Sequence, residues 1–379
     1  MSNPKDTLRS ASAADGTTHR PEFFRLVNAA DRACMDDLLQ RQQVTVMDHI
    51  HGQLRELVKT LDPTVRLDDE ALSKAAWDHL GSTPAEDYGV WVFYPWNGRL
   101  IHILDEDEFK LVRTDRNRNK ITREEQAMLA TKKVGVIGLS VGQSVSMAMV
   151  MERSFGELRL ADFDTLELSN LNRIRSGLHN LGGNKVVNTA REIAEIDPYL
   201  KVTCFTEGIT PSNLERFCTE GGVLDLLVDE CDDVVVKILA RQQAKALSIP
   251  VVMDTSDRGL IDVERFDLEP NRPIMHGFLE KLDLSVIHGD MPSSQKVNYI
   301  MAMVDSATLS DRMKASLPEI GKGISPWPQL GGHVMFGGAM TADVIRKVLL
   351  RQMEWSGRWW VDLDGLLTEK TSAVPSRWQ

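Results

Sequence analysis

KKVGVIGLSVGQS, residues 132–144, decides the architecture: a short apolar run ends in Gly138, and a second glycine, Gly142, opens a helical stretch. Lys132–Ile137 is too short for a helix and is bounded by a glycine, so it reads as a buried strand. The same alternation continues downstream. A helix is expected over 143–153, a strand over LRLADFD (158–164), a helix over 184–195, and a strand over KVTCF (201–205). A helix near 211–218, the strand LDLLVDE (224–230), a helix over 234–247 and the strand IPVVMDT (249–255) complete the series. Parallel neighbours need a crossover, and each intervening helix supplies one. The fold class is α/β: a Rossmann-like, mostly parallel sheet with flanking helices, assigned to residues 113–270.

Working upstream, residues 22–60 show apolar positions at three- and four-residue spacing and read as helix, stopped at Asp62-Pro63. DDEALSKAAWDHL (68–80) is a second helix, with Gly81 suited to its C-cap. YGVWVFYPWNGRLIHIL (88–104) places Asn97-Gly98, a pair suited to positive φ, between two apolar runs, as in a hairpin. Residues 21–112 therefore form an N-terminal α+β cap, preceded by a polar, flexible tail at 1–20. Downstream, 258–268 reads as a strand pair and 294–317 as helical. After Pro326-Trp327-Pro328 a glycine-entered helix is expected over 331–352, within a C-terminal extension at 271–379. The Trp-rich run EWSGRWWVD (354–362) fits either packing on the body or a partner surface.

Composition narrows the classes. The chain has 379 residues, a formal charge of −11 and a pI near 5.4. That balance argues against unspecific nucleic-acid binding, which needs a basic surface to release counterions. No stretch approaches the roughly 20 apolar residues that span a bilayer, so no membrane association is expected. Cys34, Cys204, Cys218 and Cys231 form no CxxC pair, so no zinc is expected, and their scatter fits free thiols in the cytoplasm.

The chemistry gathers at the strand ends. A glycine turn opening a helix presents backbone N–H groups to a phosphate, and Gly138, Ser140 and Gly142 would form it. Asp162 ends the second strand 24 residues after Gly138, where a carboxylate can hold ribose hydroxyls. That much also fits NAD. The run ADFDTLELSNLNRI (161–174), with Asp164 a further binding candidate, and the later Lys185 do not: Asn170, Arg173 and Lys185 come too soon after the ribose acid. A triphosphate wants an Arg fork and a Lys point charge. Asp229-Glu230-Cys231-Asp232-Asp233 ends the fourth strand, where carboxylates could hold Mg²⁺ against phosphates, although Asp232 and Asp233 equally suit helix capping. Cys231 reads as a packed residue beside acids that raise its pKa, not as a nucleophile. His276, His288 and His333 read as structural or solvated, and the methionines of SMAMVMERS as a core face.

The DFDxxxxSNLNR run, the glycine-lysine after it and the strand-end aspartates resemble the ThiF/MoeB/HesA superfamily, bacterial relatives of ubiquitin-activating enzymes. The resemblance covers residues 113–255 and resumes at GGHVMFGGAMTADVIRKVLL (331–350). It implies adenylation of a carboxylate by Mg-ATP, giving an acyl-adenylate and pyrophosphate. It implies that Asp162 binds ribose, that Asn170, Arg173 and Lys185 handle the triphosphate, and that Asp232 is linked to magnesium. It also lends an arginine from before the first strand, Arg116 ahead of Arg118, reaching a homodimer partner's site. The substrate would be a peptide or ubiquitin-like protein C-terminus, or a small-molecule carboxylate. Two departures stand out: Ser140-Val141 replaces the glycines expected in the loop, and no cysteine follows Cys231. A thioester relay is therefore not expected, and direct attack on the adenylate by amine, amide or sulfur fits better. The alternatives are an NAD-dependent oxidoreductase and a non-catalytic scaffold.

Overall fold

The computed structural model describes residues 16–41, 43–284, 287, 293–304 and 307–368. Most of the expected tail (1–15), His288 and residues 369–379 lie outside the described residues. The described residues form two compact units. The first takes those up to Gln126 together with Val187–Leu200; the second takes Ala127–Val186 and those from Lys201 onward.

Among the described residues the elements run β1 (Glu22–Phe24), α1 (Ala29–Arg41), β2 (Thr45–Asp48), α2 (Ile50–Leu61), α3 (Asp69–His79), β3 (Val90–Tyr94), β4 (Arg99–Ile103), α4 (Glu106–Arg113) and α5 (Arg123–Leu129). The chain continues through β5 (Lys133–Ile137), α6 (Gly142–Glu152), β6 (Glu157–Ala161), α7 (Lys185–Ile196), β7 (Lys201–Phe205), α8 (Leu214–Thr219), β8 (Leu226–Asp229) and α9 (Val234–Ala246). Then come β9 (Val251–Thr255), β10 (Leu260–Glu264), α10 (Ser293–Val304), α11 (Asp311–Ser316), α12 (Gly331–Leu349), β11 (Gly357–Trp360) and α13 (Leu363–Thr368).

The first unit holds a four-stranded sheet in the order β1-β3-β4-β2. It corrects the expectation of helix across 22–60: β1 and β2 interrupt that span. Each is short, and each is fixed by a distant partner, β1 antiparallel to β3 and β2 parallel to β4. Local periodicity does not register such pairing. The hairpin stands, but only Gly98 of the Asn97-Gly98 pair has positive φ (+67°), because the connection is longer than a two-residue turn. Asp68 caps α3 by accepting from the Ala71 N–H, and Gly81 follows the helix at φ +60°.

In the second unit the sheet order is β11-β10-β9-β8-β5-β6-β7. The five strands from β9 to β7 run parallel, while β10 and β11 are antiparallel additions at one edge. The expected strand pair at 258–268 is instead one strand, β10, reached by a tight turn with Arg258 and Gly259 at positive φ. Its outer partner is β11, so the Trp-rich run packs onto the sheet. On one face of the sheet, Phe205, Phe217, Leu227, Ala240, Ile249 and Phe266 form a closed apolar core. α12 packs against α6 and β9. Among the described residues no helix is long and apolar enough to cross a membrane.

Register aligns the chemistry. Ile137 pairs with both Ala161 and Asp229, so Gly138, Asp162 and Glu230 emerge side by side at the C-terminal edge of the parallel strands.

Candidate functional site

Gly138 has φ +86°, and its N–H donates to the Ala161 carbonyl at 2.9 Å. A Cβ here would lie 2.6 Å from the Glu230 oxygen and 2.7 Å from the Cys231 nitrogen. Both the backbone angle and the neighbouring chain demand glycine. Gly138→Ala is expected to cost about 2 kcal/mol or more, since left-handed strain alone runs to about 1–3 kcal/mol. A melting temperature equal to that of the parent protein would contradict this reading of the turn.

Asp162 is buried and fastens that turn. Its two carboxylate oxygens accept from the Leu139 N–H (2.7 Å) and the Asp164 N–H (2.8 Å). Burial raises its pKa, opposed by Lys185 and these two N–H groups. Each oxygen keeps a second lone pair for a ligand hydroxyl. Lys185, also buried, pairs with Asp164 at 2.7 Å and holds positive charge close behind Asp162. Asn170 is buried, and its side-chain oxygen accepts from the Glu167 N–H at 3.0 Å, closing its own turn.

Arg173 comes directly after that turn. Its Nε donates to Ser140 Oγ at 2.9 Å and its Nη1 to Asn172 Oδ1 at 2.9 Å, so the guanidinium lies across the glycine loop. Serine at 140, where the pattern leads one to expect glycine, thus has a defined job. Burial lowers the Arg173 pKa, and the Asp232 carboxylate opposes the shift, which puts the two charges within mutual range. The strand-end aspartates divide their labour. Asp233 caps α9, accepting from Val235 and Val236, and pairs with Lys296 at 3.1 Å. Asp232 is exposed at the rim of a cavity. The Cys231 thiol donates to Asp229 Oδ1 at 3.0 Å, and burial beside that acid holds its pKa well above the usual thiol value. A thiolate nucleophile is disfavoured there.

The cavity, about 410 Å³, opens beside these strand ends. Arg173, Asp232 and Val141 of the glycine loop line it, together with the apolar side chains of Met275, Met303, Trp327 and Trp360. Glu230, from the strand-end acidic cluster, lines it as well, together with two charged groups outside the motifs, Lys237 and Asp254. Glu230 Oε1 accepts from the Asp254 N–H at 3.0 Å. Burial raises both carboxyls, and Asp254 pushes Glu230 up further. Lys237 is already engaged with Asp229 at 3.0 Å. Asp254 did have a signal: an acid one residue before the end of an otherwise apolar strand needs a reason to be there. His276 is structural, pairing with Asp262 at 2.8 Å.

Arg116 lies in the first unit, in the short turn Asp115–Asn117, and Arg118 pairs there with Asp115 at 3.0 Å. Among the described residues no three His, Cys, Asp or Glu side chains converge as a metal cage.

The sequence model of the ThiF family matches residues 114–275. Over 293 residues the chain is 43% identical to uncharacterized protein MT1398 of Mycobacterium tuberculosis (strain CDC 1551 / Oshkosh), covering 77% of this chain and 40% of that one. It is 31% identical over 110 residues to ubiquitin-like modifier-activating enzyme 5 of Bombyx mori (27% of this chain, 28% of the relative). It is 25% identical over 151 residues to the molybdopterin-synthase adenylyltransferase of Haemophilus influenzae (strain ATCC 51907 / DSM 11121 / KW20 / Rd), covering 39% of this chain and 60% of the relative. The chain thus spans less than two thirds of the length of each of these relatives.

Proposed function

We propose that this chain, which carries a ThiF-family domain, converts a carboxylate into its acyl-adenylate at the expense of ATP. The observation that carries the reading is Arg173. A guanidinium tied to the glycine loop through Ser140, and lining one cavity with Asp232, supports a role in receiving a phosphate chain. The relative named as an adenylyltransferase supports the same class of reaction.

In this reading the loop N–H groups and Arg173 receive the phosphates, Asp162 orients the ribose, and Lys185 holds positive charge behind them. The substrate carboxylate attacks the α-phosphorus. A P–O bond forms to the acyl oxygen, the bond to the bridging oxygen breaks, and pyrophosphate leaves. Both reactants are anions, so the protein contributes mainly alignment and charge neutralisation. No base is required, since a carboxylate is already ionised at neutral pH. Asp232, exposed at the cavity rim, would hold Mg²⁺, which would neutralise triphosphate charge there. Asn170 acts through its turn by placing Arg173 three residues on. Arg116 would serve a partner's site if the chain works as a homodimer in the cytoplasm.

The test is carboxylate-dependent exchange of labelled pyrophosphate into ATP. Exchange with any member of a panel of peptide C-termini and small carboxylates supports the reading. Mg-ATP binding without exchange across the panel would favour the non-catalytic scaffold, and no nucleotide binding at all would overturn the site.

A further inference from the structure

Ile300, Met303, Leu309 and Trp327 line the cavity, and all four lie beyond residue 275, where the match to the ThiF model ends. The C-terminal extension, not the strand-end motifs, supplies these side chains. Leu309 sits in a turn held from both sides. The Thr308 carbonyl accepts from Arg258 Nη1 at 2.7 Å, and the Ser310 N–H and hydroxyl donate to Asp257 at 2.8 and 2.6 Å. Met303, on α10, clusters with Val234, Val235 and Ile238 of α9. Trp327 is half-buried, two residues before Gln329, whose carbonyl accepts from Asn172 Nδ2 at 2.8 Å. A lining held in this way is shaped before a ligand arrives.

Of the residues proposed for the nucleotide, Arg173 and Asp232 line the cavity, while Gly138, Asp162 and Lys185 are not among its described lining residues. The nucleotide thus meets this space at its phosphates, and about 410 Å³ is left for the second reactant. Much of the polar lining is bonded to protein: Lys237 to Asp229, Asp257 to Ser310, and Glu230 to the Asp254 N–H. A space of that size suits a compact ligand. An acyl group ending in glycine has no side chain to cover the apolar lining, which would stay in water at a cost that grows with its area. A bulky apolar group removes that cost.

We propose that the cavity selects, as acyl substrate, a carboxylate borne on a bulky apolar group over one that ends in glycine, with the apolar body among Ile300, Met303, Leu309 and Trp327. This rests on the adenylation reading for the fate of the carboxylate, and on the lining for its choice. A free alkyl or aryl-alkyl acid and a peptide ending in an apolar residue share this chemistry.

The experiment uses the whole chain with Mg-ATP and measures pyrophosphate exchange driven by acetate, hexanoate, 3-phenylpropanoate, glycylglycine and glycylphenylalanine. The kcat/KM for hexanoate is expected to exceed that for acetate by about 10²-fold, from about fourfold for each added methylene that is buried. Exchange by the free acids alone places the substrate among small molecules; exchange by glycylphenylalanine far above glycylglycine places it at a peptide end. Acetate and glycylglycine driving exchange as well as their apolar counterparts overturns the proposal and leaves adenylation standing. Calorimetric titration with 3-phenylpropanoate separates the other failures. Binding with a negative heat-capacity change but no exchange keeps the apolar ligand and removes adenylation. Neither binding nor exchange with any of the apolar acids overturns the proposal. Trp327→Ala is expected to lower the ratio of kcat/KM for 3-phenylpropanoate over acetate by about tenfold, a split that general loss of fold would not produce. An unchanged ratio counts against the proposal. The acid series needs no variant, so it decides the matter even if Trp327→Ala fails to fold.

Discussion

Arg173→Ala is expected to lower carboxylate-dependent pyrophosphate exchange by about 10²–10³-fold, the usual consequence of deleting one preorganised donor to developing phosphate charge. The size comes from placement. The guanidinium is half-buried and tied to Ser140 Oγ, so on the proposed reading it would meet the phosphate chain without having to reorganise. Arg173→Lys should recover part of the activity, because a lysine returns the charge but not the planar fork. Thermal stability should change little, since the bonds lost are to Ser140 and Asn172 near the surface. Exchange within a few-fold of the parent protein in Arg173→Ala would remove the catalytic assignment.

Arg241→Met should be the most destabilising single change in the second unit, by about 3–5 kcal/mol, the range for breaking a buried ion pair from one side. Arg241 is fully buried, bridging Asp229 on β8 and Glu264 on β10, the latter at 2.6 Å. Without it Asp229 keeps Lys237, but Glu264 loses the one cation it pairs with among the described residues. Burial already raises the Glu264 pKa, and Arg241 is the main influence pulling it down. Removing the arginine therefore raises it further and lets Glu264 take up a proton in the folded state. Such a raised folded pKa favours the folded state at low pH and loses that contribution as pH rises. The deficit measured by denaturant unfolding should accordingly be smaller at about pH 5 than at about pH 8. A loss under about 1 kcal/mol, or one independent of pH, would mean that the network is not coupled as the distances indicate.

The parallel strands, their order of appearance and the placement of Asp162, Arg173 and Asp232 were legible because each depends on local signals. A glycine stops a strand, a short apolar run starts one, and charge marks the strand ends. The illegible parts depended on distant partners. β1 and β2 pair across more than fifty residues, and β11 finds β10 across nearly a hundred, with no periodicity to betray either. The split between Asp232 and Asp233 was open because both suit a helix start; only the capping bonds of Asp233 separate them. Asn170 and Ser140 suit ligand contacts by sequence, yet in the fold their side chains bond protein, one closing a turn and the other holding Arg173. The Asp229–Arg241–Glu264 network escaped because charges on alternate positions of a strand read as solvent-facing.

The edge strand β11 has a kinetic consequence. Its partner β10 leaves the ribosome nearly a hundred residues earlier, and closing so long a span is entropically slow compared with the β–α–β steps before it. Trp360, at the end of β11, also walls the cavity. Nascent chains should therefore possess a finished sheet centre well before they possess a finished binding chamber, and competence would wait on the emergence of that last edge.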